Sequence, residues 1–262
     1  MRLLVTNDDG IHAPGIHALA RAMARTGHEV VVAAPRDDMT GYGAALGAFS
    51  VDGTIDVAEV DLPGLDGVPG FEVVGPPALC VMAARLGGFG EPPDLVVSGI
   101  NPGANTGRAT LHSGTVGAVL TGGNFGVSGL AVSIGVDEHI HWDTAGELAI
   151  GAVTWLADRP SRTLLNLNVP NVALDELKGV RWGSLAPFGT VRAFLVDGPA
   201  SPDGSGRTLQ MELREHNEKL PEDSDTALVR DGYASITSIV GIRATEPVPV
   251  ADHLEAHLFS VR

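Results

Sequence analysis

Blocks of apolar residues separated by short polar turns mark out the elements of this chain one after another. Leu3-Leu4-Val5 gives way to the turn-prone Asn7-Asp8-Asp9-Gly10, the pattern of a buried strand that ends in a loop. From Pro14, apolar side chains recur at Ile16, Leu19, Ala20 and Met23, and Gly27 stands where a stop is expected, so an amphipathic helix follows. Val30 to Ala34 reads as a second buried strand closed by Pro35. The pattern returns at Leu95-Val96-Val97, which runs into Ser98-Gly99-Ile100-Asn101, then a helix from Ser113 and a strand from Leu130 to Ile134. Thr144 and Glu147 have the spacing of a capping box ahead of Leu148, Ala152, Trp155 and Leu156, predicting a further helix before a strand over Leu164 to Val169. Strand, turn, helix and strand in succession imply parallel βαβ units with right-handed crossovers.

After about residue 175 the period changes. Leu209, Met211 and Leu213 alternate with Gln210, Glu212 and Arg214, as in a half-exposed antiparallel strand. Gly198 to Gly206 is rich in Gly, Pro and Ser and reads as a turn or loop, and no internal repeat is visible. The expectation is a single α/β domain over 1–262. A Rossmann-like, mostly parallel sheet flanked by helices occupies about 1–178, and a β-rich extension with the C-terminal segment occupies about 179–262.

Composition narrows the function. With 17 Lys and Arg against 32 Asp and Glu, the formal charge of -15 repels phosphate polymers, and no basic block offsets it. Aromatic residues make up 5% of the chain while glycines number 34, which favours sites built from backbone and small side chains over aromatic stacking surfaces. The single cysteine, Cys80, forms no internal disulfide and reads as a small buried apolar residue. The four-residue apolar run after Arg2 is too short for the core of a secretory signal. No segment approaches the ~20 apolar residues of a membrane span, so the expected location is the cytoplasm, with neither a membrane nor a nucleic-acid polymer as partner.

The chemistry should lie outside the carboxyl ends of the strands, where open α/β sheets bind ligands. Three polar loops fall there: Asn7 to Gly10, Arg36 to Gly41 and Ser98 to Asn105. Asp8 and Asp9 are adjacent carboxylates that would repel a phosphate unless a cation stood between them. Oxygen donors suit Mg²⁺, Mn²⁺ or Ca²⁺, and the absence of a Cys/His cluster argues against structural zinc. By itself, Asp8-Asp9 is equally compatible with an Asx turn. The third loop leaves little steric bulk near a ligand, and Ser113-Gly114-Thr115 opens a helix whose free N–H groups suit either a phosphate or an ordinary N-cap. His17 falls off the apolar helical stripe and is expected at the surface, whereas His12 is open between a catalytic and a loop role.

Taken together, Val5 to Gly15, Pro93 to Asn101 with Gly103-Ala104-Asn105, and Ser113 to Ala118 resemble the signatures of the SurE family of stationary-phase survival phosphatases. Weaker similarities at Gly75 to Val81, Asn166 to Pro170, and Asp225 with Asp231 to Thr237 extend the resemblance over most of the chain. The resemblance implies a nucleotidase, a phosphomonoesterase dependent on one divalent ion, Mg²⁺ or Mn²⁺, with Ca²⁺ as a crystallographic substitute, that hydrolyses nucleoside 5′- and 3′-monophosphates. Attack by a metal-activated water is the expected route, with direct attack by Asp8 or Asp9 to form an acyl phosphate the alternative. It implies Asp8, Asp9, Thr40 and Asn101 as metal ligands, Asn105, Ser113, Gly114 and Thr115 around the phosphate, and Asp8, Asp9 and Asn105 as the catalytic set. Thr40 stands in place of the family's serine and keeps its hydroxyl, His112 replaces a tyrosine, and Tyr42-Gly43-Ala44-Ala45 departs from the family pattern. A homodimer or homotetramer joined through C-terminal segments is also implied. The rival readings are a broad-specificity phosphatase or exopolyphosphatase, and a catalytically silent nucleotide-binding protein.

Overall fold

A computed structural model describes residues 1–47, 53–187, 191–199, 208–215, 219–244, 246, 250–251 and 254–255. In chain order the elements are β1 (Arg2–Thr6), α1 (Pro14–Ala24), β2 (Glu29–Pro35), β3 (Val57–Glu59), β4 (Gly70–Val73), α2 (Pro77–Arg85) and β5 (Leu95–Pro102). A 3₁₀ segment over Gly107–His112 leads into α3 (Gly114–Asn124), followed by β6 (Ser128–Ile134), α4 (Trp142–Leu156), β7 (Leu164–Val169) and β8 (Val180–Trp182). The last described elements are β9 (Val191–Asp197), β10 (Leu209–Glu215), α5 (Asp225–Arg230) and β11 (Ala234–Ile239).

The nine-stranded sheet has the order β3-β4-β2-β1-β5-β6-β7-β11-β8. From β4 to β7 every pairing is parallel, while β3 and β11 run antiparallel to β4 and β7. The mostly parallel α/β architecture expected from the apolar runs is therefore present. These strands read as continuous runs because both faces are covered. On one face Leu3, Val5, Val32, Val97 and Leu167 pack with Ile16, Leu19 and Met23 of α1 and Ala149 and Val153 of α4. On the other, Leu4, Val31 and Val96 pack with Leu79, Val81 and the fully buried Cys80 of α2 and Ala118 of α3. Each large apolar side chain buried in this way contributes roughly 1.5–3 kcal/mol relative to exposure.

Three local expectations are corrected. The capping box at Thr144 and Glu147 is not formed: α4 begins at Trp142, Thr144 Oγ1 donates to the Val172 carbonyl (2.9 Å), and Glu147 accepts from Arg25 (2.6 Å). The buried face of α4 is Ala145, Gly146, Ala149, Val153 and Leu156, not the stripe through Trp155, which is half exposed with the Arg159 guanidinium 4.4 Å from its ring centre. Small residues win because α4 lies close to α1; a Cβ on Gly146 would already stand 3.2 Å from that of Ala22. His17 is half-buried, not a free surface group, with Nε2 at 3.0 Å from the Ile11 carbonyl.

The alternating stretch from Leu209 pairs antiparallel with β9 in a separate two-stranded ribbon. Between its strands, residues 200–206 of the expected loop lie outside the described residues, as does most of the C-terminal segment. Two strands from beyond residue 178, β8 and β11, complete the main sheet.

Candidate functional site

The chain leaves β1 towards β2 and β4 on one side, and β5 continues towards β6 and β7 on the other. The order reverses between β1 and β5, and the crevice beyond their carboxyl ends is where such sheets bind ligands. Asn7, Asp8 and Asp9 follow β1 directly, and Asn101 is the penultimate residue of β5. The first turn of α1 packs directly on β5: a Cβ on Gly15 would stand 2.0 Å from the Ile100 carbonyl oxygen. Gly99, at φ +131°, presses as closely on Val132, a backbone conformation that glycine tolerates best.

Asp8 is 2% exposed, and its Oδ1 accepts from Thr115 Oγ1 at 2.5 Å. Its backbone carbonyl accepts from Met39 N (2.7 Å), which binds the loop after β2 to the end of β1. Burial raises the Asp8 carboxyl above the usual range, and the Thr115 hydroxyl with the N–H groups of Thr115 and Gly114 pulls it back. The start of α3 thus faces this carboxylate. Asp9 is pushed up to about 7, first by burial and then by the negative charges of Asp8 and Asp38. Its Oδ2 is buried without a hydrogen-bond partner. Asn7 Nδ2 donates to the Gly10 carbonyl (2.9 Å) and fixes the turn that presents the two acids.

Asn101 Nδ2 donates to the Gly103 carbonyl (2.7 Å), which leaves Oδ1 as the acceptor of this amide. Thr40 is exposed, and both its N–H and its Oγ1 donate to Asp38 Oδ1, at 2.8 and 2.6 Å. A donating hydroxyl keeps its lone pairs for a cation. Ser113 caps α3 by accepting from Val116 N (3.2 Å). Gly114 cannot be larger, since a Cβ there would stand 2.7 Å from Asp8 Cβ and Oδ2.

Asn105 is fixed by Asn166 and Asn168, which the sequence marks within a family-like segment but not as part of the site. Its N–H donates to Asn168 Oδ1 (2.8 Å), and its carbonyl accepts from Asn166 Nδ2 (2.8 Å) and Asn168 Nδ2 (3.1 Å). Its own Nδ2 donates to Ser133 Oγ (2.9 Å). Two buried asparagines interrupting the apolar run of β7 are the signal that marks this clamp. Further along, the fully buried Asp225 accepts from Gly107 N (2.8 Å) and Ala186 N (3.0 Å), anchoring the 3₁₀ segment that leads to Ser113. His12 is exposed, its Nε2 3.8 Å from Glu72.

This constellation fits a hard divalent cation. Asp8, Asp9, Thr40 and Asn101 offer only oxygen donors, Asp9 Oδ2 is a buried acceptor without a partner, and two adjacent acids are raised by burial. Among the described residues no three His, Cys, Asp or Glu side chains converge as a metal cage, so carboxylate, hydroxyl and amide must share the task.

Comparison with known proteins identifies the family. Residues 3–189 match the family model "Survival protein SurE". The 5'/3'-nucleotidase SurE of Cronobacter sakazakii is 37% identical over 246 residues, 91% of this chain and 90% of the relative. The 5'-nucleotidase SurE of Chloroflexus aggregans is 36% identical over 248 residues, 91% and 92% of the two chains. The crystal structure of the SurE protein from Aquifex aeolicus aligns with a TM-score of 0.79 at 27% identity, covering 97% of this chain and 100% of that one. The chain belongs to the SurE family.

Proposed function

We propose that this chain is a divalent-metal-dependent phosphomonoesterase that hydrolyses nucleoside 5′-monophosphates, and 3′-monophosphates as well, to nucleoside and inorganic phosphate. The observation that carries the reading is the buried pair Asp8-Asp9 set against the start of α3, with Asp9 Oδ2 left as an acceptor without a partner. Membership of a family whose relatives are named nucleotidases supports the activity and makes the chain an enzyme of that class. Asp8, Asp9, Thr40 and Asn101 hold one Mg²⁺ or Mn²⁺. When bound, such a cation neutralises phosphoryl charge and lowers the pKa of water beside it.

The remaining work falls to the chain itself. Asn105, clamped from β6 and β7, presents its amide to the phosphate with its position already fixed, so little ordering cost remains at the moment of reaction. Ser113, Gly114 and Thr115 bring the positive end of α3 to the same place. Asp-Asp-Gly differs from the Asp-x-Asp arrangement of phosphatases that form an acyl phosphate, which favours attack by water in line with the leaving group.

The reading extends to assembly and location. Leu195, Leu209 and Met211 are between 55% and 67% exposed on one face of the β9–β10 ribbon, an apolar surface suited to a second copy of the chain in a homodimer or homotetramer. No helix of the described residues is long and apolar enough to cross a membrane, and a lone cysteine suits the reducing cytoplasm.

The test is phosphate release from 5′- and 3′-nucleoside monophosphates and from tripolyphosphate, each with Mg²⁺, with Mn²⁺ and with EDTA. Cation-dependent release from the nucleotides is expected. Preference for tripolyphosphate would support the exopolyphosphatase reading, and binding without turnover the silent one.

A further inference from the structure

The metal and phosphate positions account for the polar half of a nucleotide and leave its base unplaced. Two segments meet at the rim beside them. Gly43 N donates to the His112 carbonyl (3.2 Å), a Cβ on Gly43 would stand 2.9 Å from the Leu111 carbonyl, and one on Gly117 would stand 2.1 Å from the Gly43 carbonyl. The loop that carries Thr40 is thereby laid directly against the entry to Ser113–Thr115. At this junction Tyr42 is 50% exposed, Leu111 is 72% exposed and His112 is exposed.

Tyr42 is held by its backbone and open at its ring. Its N–H donates to the Met39 carbonyl (3.3 Å), and its own carbonyl accepts from Ala45 N (3.1 Å). Met39 in turn donates to Asp8, so the tyrosine is two short hydrogen-bonded steps from the acidic pair. Several described aromatic rings have ring or cation partners: Phe71 stacks on Phe89 at 4.8 Å, Trp155 meets Arg159 at 4.4 Å, and Tyr233 meets Arg181 at 3.6 Å. Among the described residues Tyr42 has no such ring or cation contact, in a chain that uses aromatic residues sparingly.

We propose that Tyr42, flanked by Leu111 and His112, is the platform on which the nucleobase of a nucleoside monophosphate stacks while its phosphate lies at the Ser113–Thr115 loop. The proposal rests on the nucleotidase reading and names the residue that separates nucleotides from small phosphate esters. A π face accepts every base, so the platform selects nucleotides as a class and discriminates weakly among bases. Stacking is made equally in the bound substrate and in the transition state, so its loss raises KM and spares kcat.

The experiment compares wild type, Tyr42→Ala and Tyr42→Phe on adenosine 5′-monophosphate and on glycerol 2-phosphate with Mn²⁺, after thermal melts establish that each variant is folded. Calorimetric binding of adenosine 5′-monophosphate and of orthophosphate is measured alongside. Tyr42→Ala should lower the ratio of kcat/KM for the nucleotide over the simple ester by about tenfold or more, through KM, with a parallel loss of nucleotide affinity. Tyr42→Phe should restore both. If both esters suffer equally, or neither does, Tyr42 serves only the loop and the proposal is overturned. If wild type hydrolyses neither ester, the phosphatase reading fails by itself. The calorimetric comparison then decides the platform: a tenfold loss of nucleotide affinity with orthophosphate binding retained supports it, and equal affinities overturn it.

Discussion

Replacing Gly114 by alanine adds one carbon at the point where α3 meets the acidic pair. The new Cβ would stand 2.7 Å from Asp8 Cβ, 2.7 Å from Oδ2 and 3.0 Å from Cγ. Carbon atoms rest at about 3.5–4.0 Å, so Asp8 and the first turn of α3 must separate by roughly 1 Å. Neither yields easily. Asp8 is held by Thr115 Oγ1 and, through its carbonyl, by Met39 N, while Ser113 ties the turn to Val116. Overpacking of this kind costs about 1–3 kcal/mol, and in a chain of this length each kcal/mol lowers Tm by about 2–4 °C. The functional loss should be larger than the structural one, because a misplacement near 1 Å in a reacting constellation costs on the order of 100-fold in rate. Gly151→Ala is the control: it lies exposed within α4 with nothing within 4 Å of an added Cβ, and a helical alanine there should stabilise by up to about 1 kcal/mol. Melting curves, Mn²⁺ calorimetry and phosphate release on both variants check the pair. A Gly114→Ala protein with wild-type cation affinity and turnover would refute the placement of Asp8 at the centre of the site.

Without cation, Asp9 at about 7 holds a proton that the unfolded chain releases near 3.8; the native state therefore binds more protons between those values, and stability should fall as pH rises through that window. Asp9→Asn should show a smaller fall, the remainder coming from Asp8, which burial also raises, and urea titrations at pH 5 and 8 in EDTA would show the difference. The same proton competes with metal, so Mn²⁺ affinity should weaken by up to about tenfold per unit below pH 7, with proton release visible as buffer-dependent calorimetric heat. Thr40→Val removes the hydroxyl at nearly constant volume and should weaken Mn²⁺ binding about tenfold or more, whereas Thr40→Ser should retain it; equal affinities in calorimetry would remove Thr40 from the ligand set. Asp225→Ala strands the buried N–H groups of Gly107 and Ala186, at ~1–3 kcal/mol each, measurable as a lower urea midpoint.

How much of this was legible in the sequence follows from what each residue's role depends on. The central strands are buried on both faces and appear as unbroken apolar runs, and the polar loops after β1 and β5 appear as abrupt ends of those runs. β3 and β4 did not stand out, because three exposed residues and the short Gly70-Phe71-Glu72-Val73 carry too little period. α2 was equally hidden: nearly all of its residues are buried, so no polar face marks it as a helix. Thr144 and Glu147 misled because a local spacing says nothing of Val172 and Arg25, which claim those side chains from elsewhere in the chain. At the site, Asp8 and Asp9 are local to one turn, whereas the clamp on Asn105 comes from Asn166 and Asn168, more than sixty positions away. The partnership of Asp38 with Thr40 was within reach of the sequence, as an Asx-type contact two residues apart.

Phosphate release from adenosine 5′-monophosphate by protein stripped with EDTA, as Mn²⁺ is titrated back with Asp9→Asn treated identically, tests the cation site most directly. Turnover should be negligible at the start and recover along a saturable curve whose midpoint matches the calorimetric Mn²⁺ affinity, while Asp9→Asn stays inactive. Undiminished turnover in EDTA, or recovery of Asp9→Asn along the same curve, would contradict a catalytic cation held by Asp8, Asp9, Thr40 and Asn101.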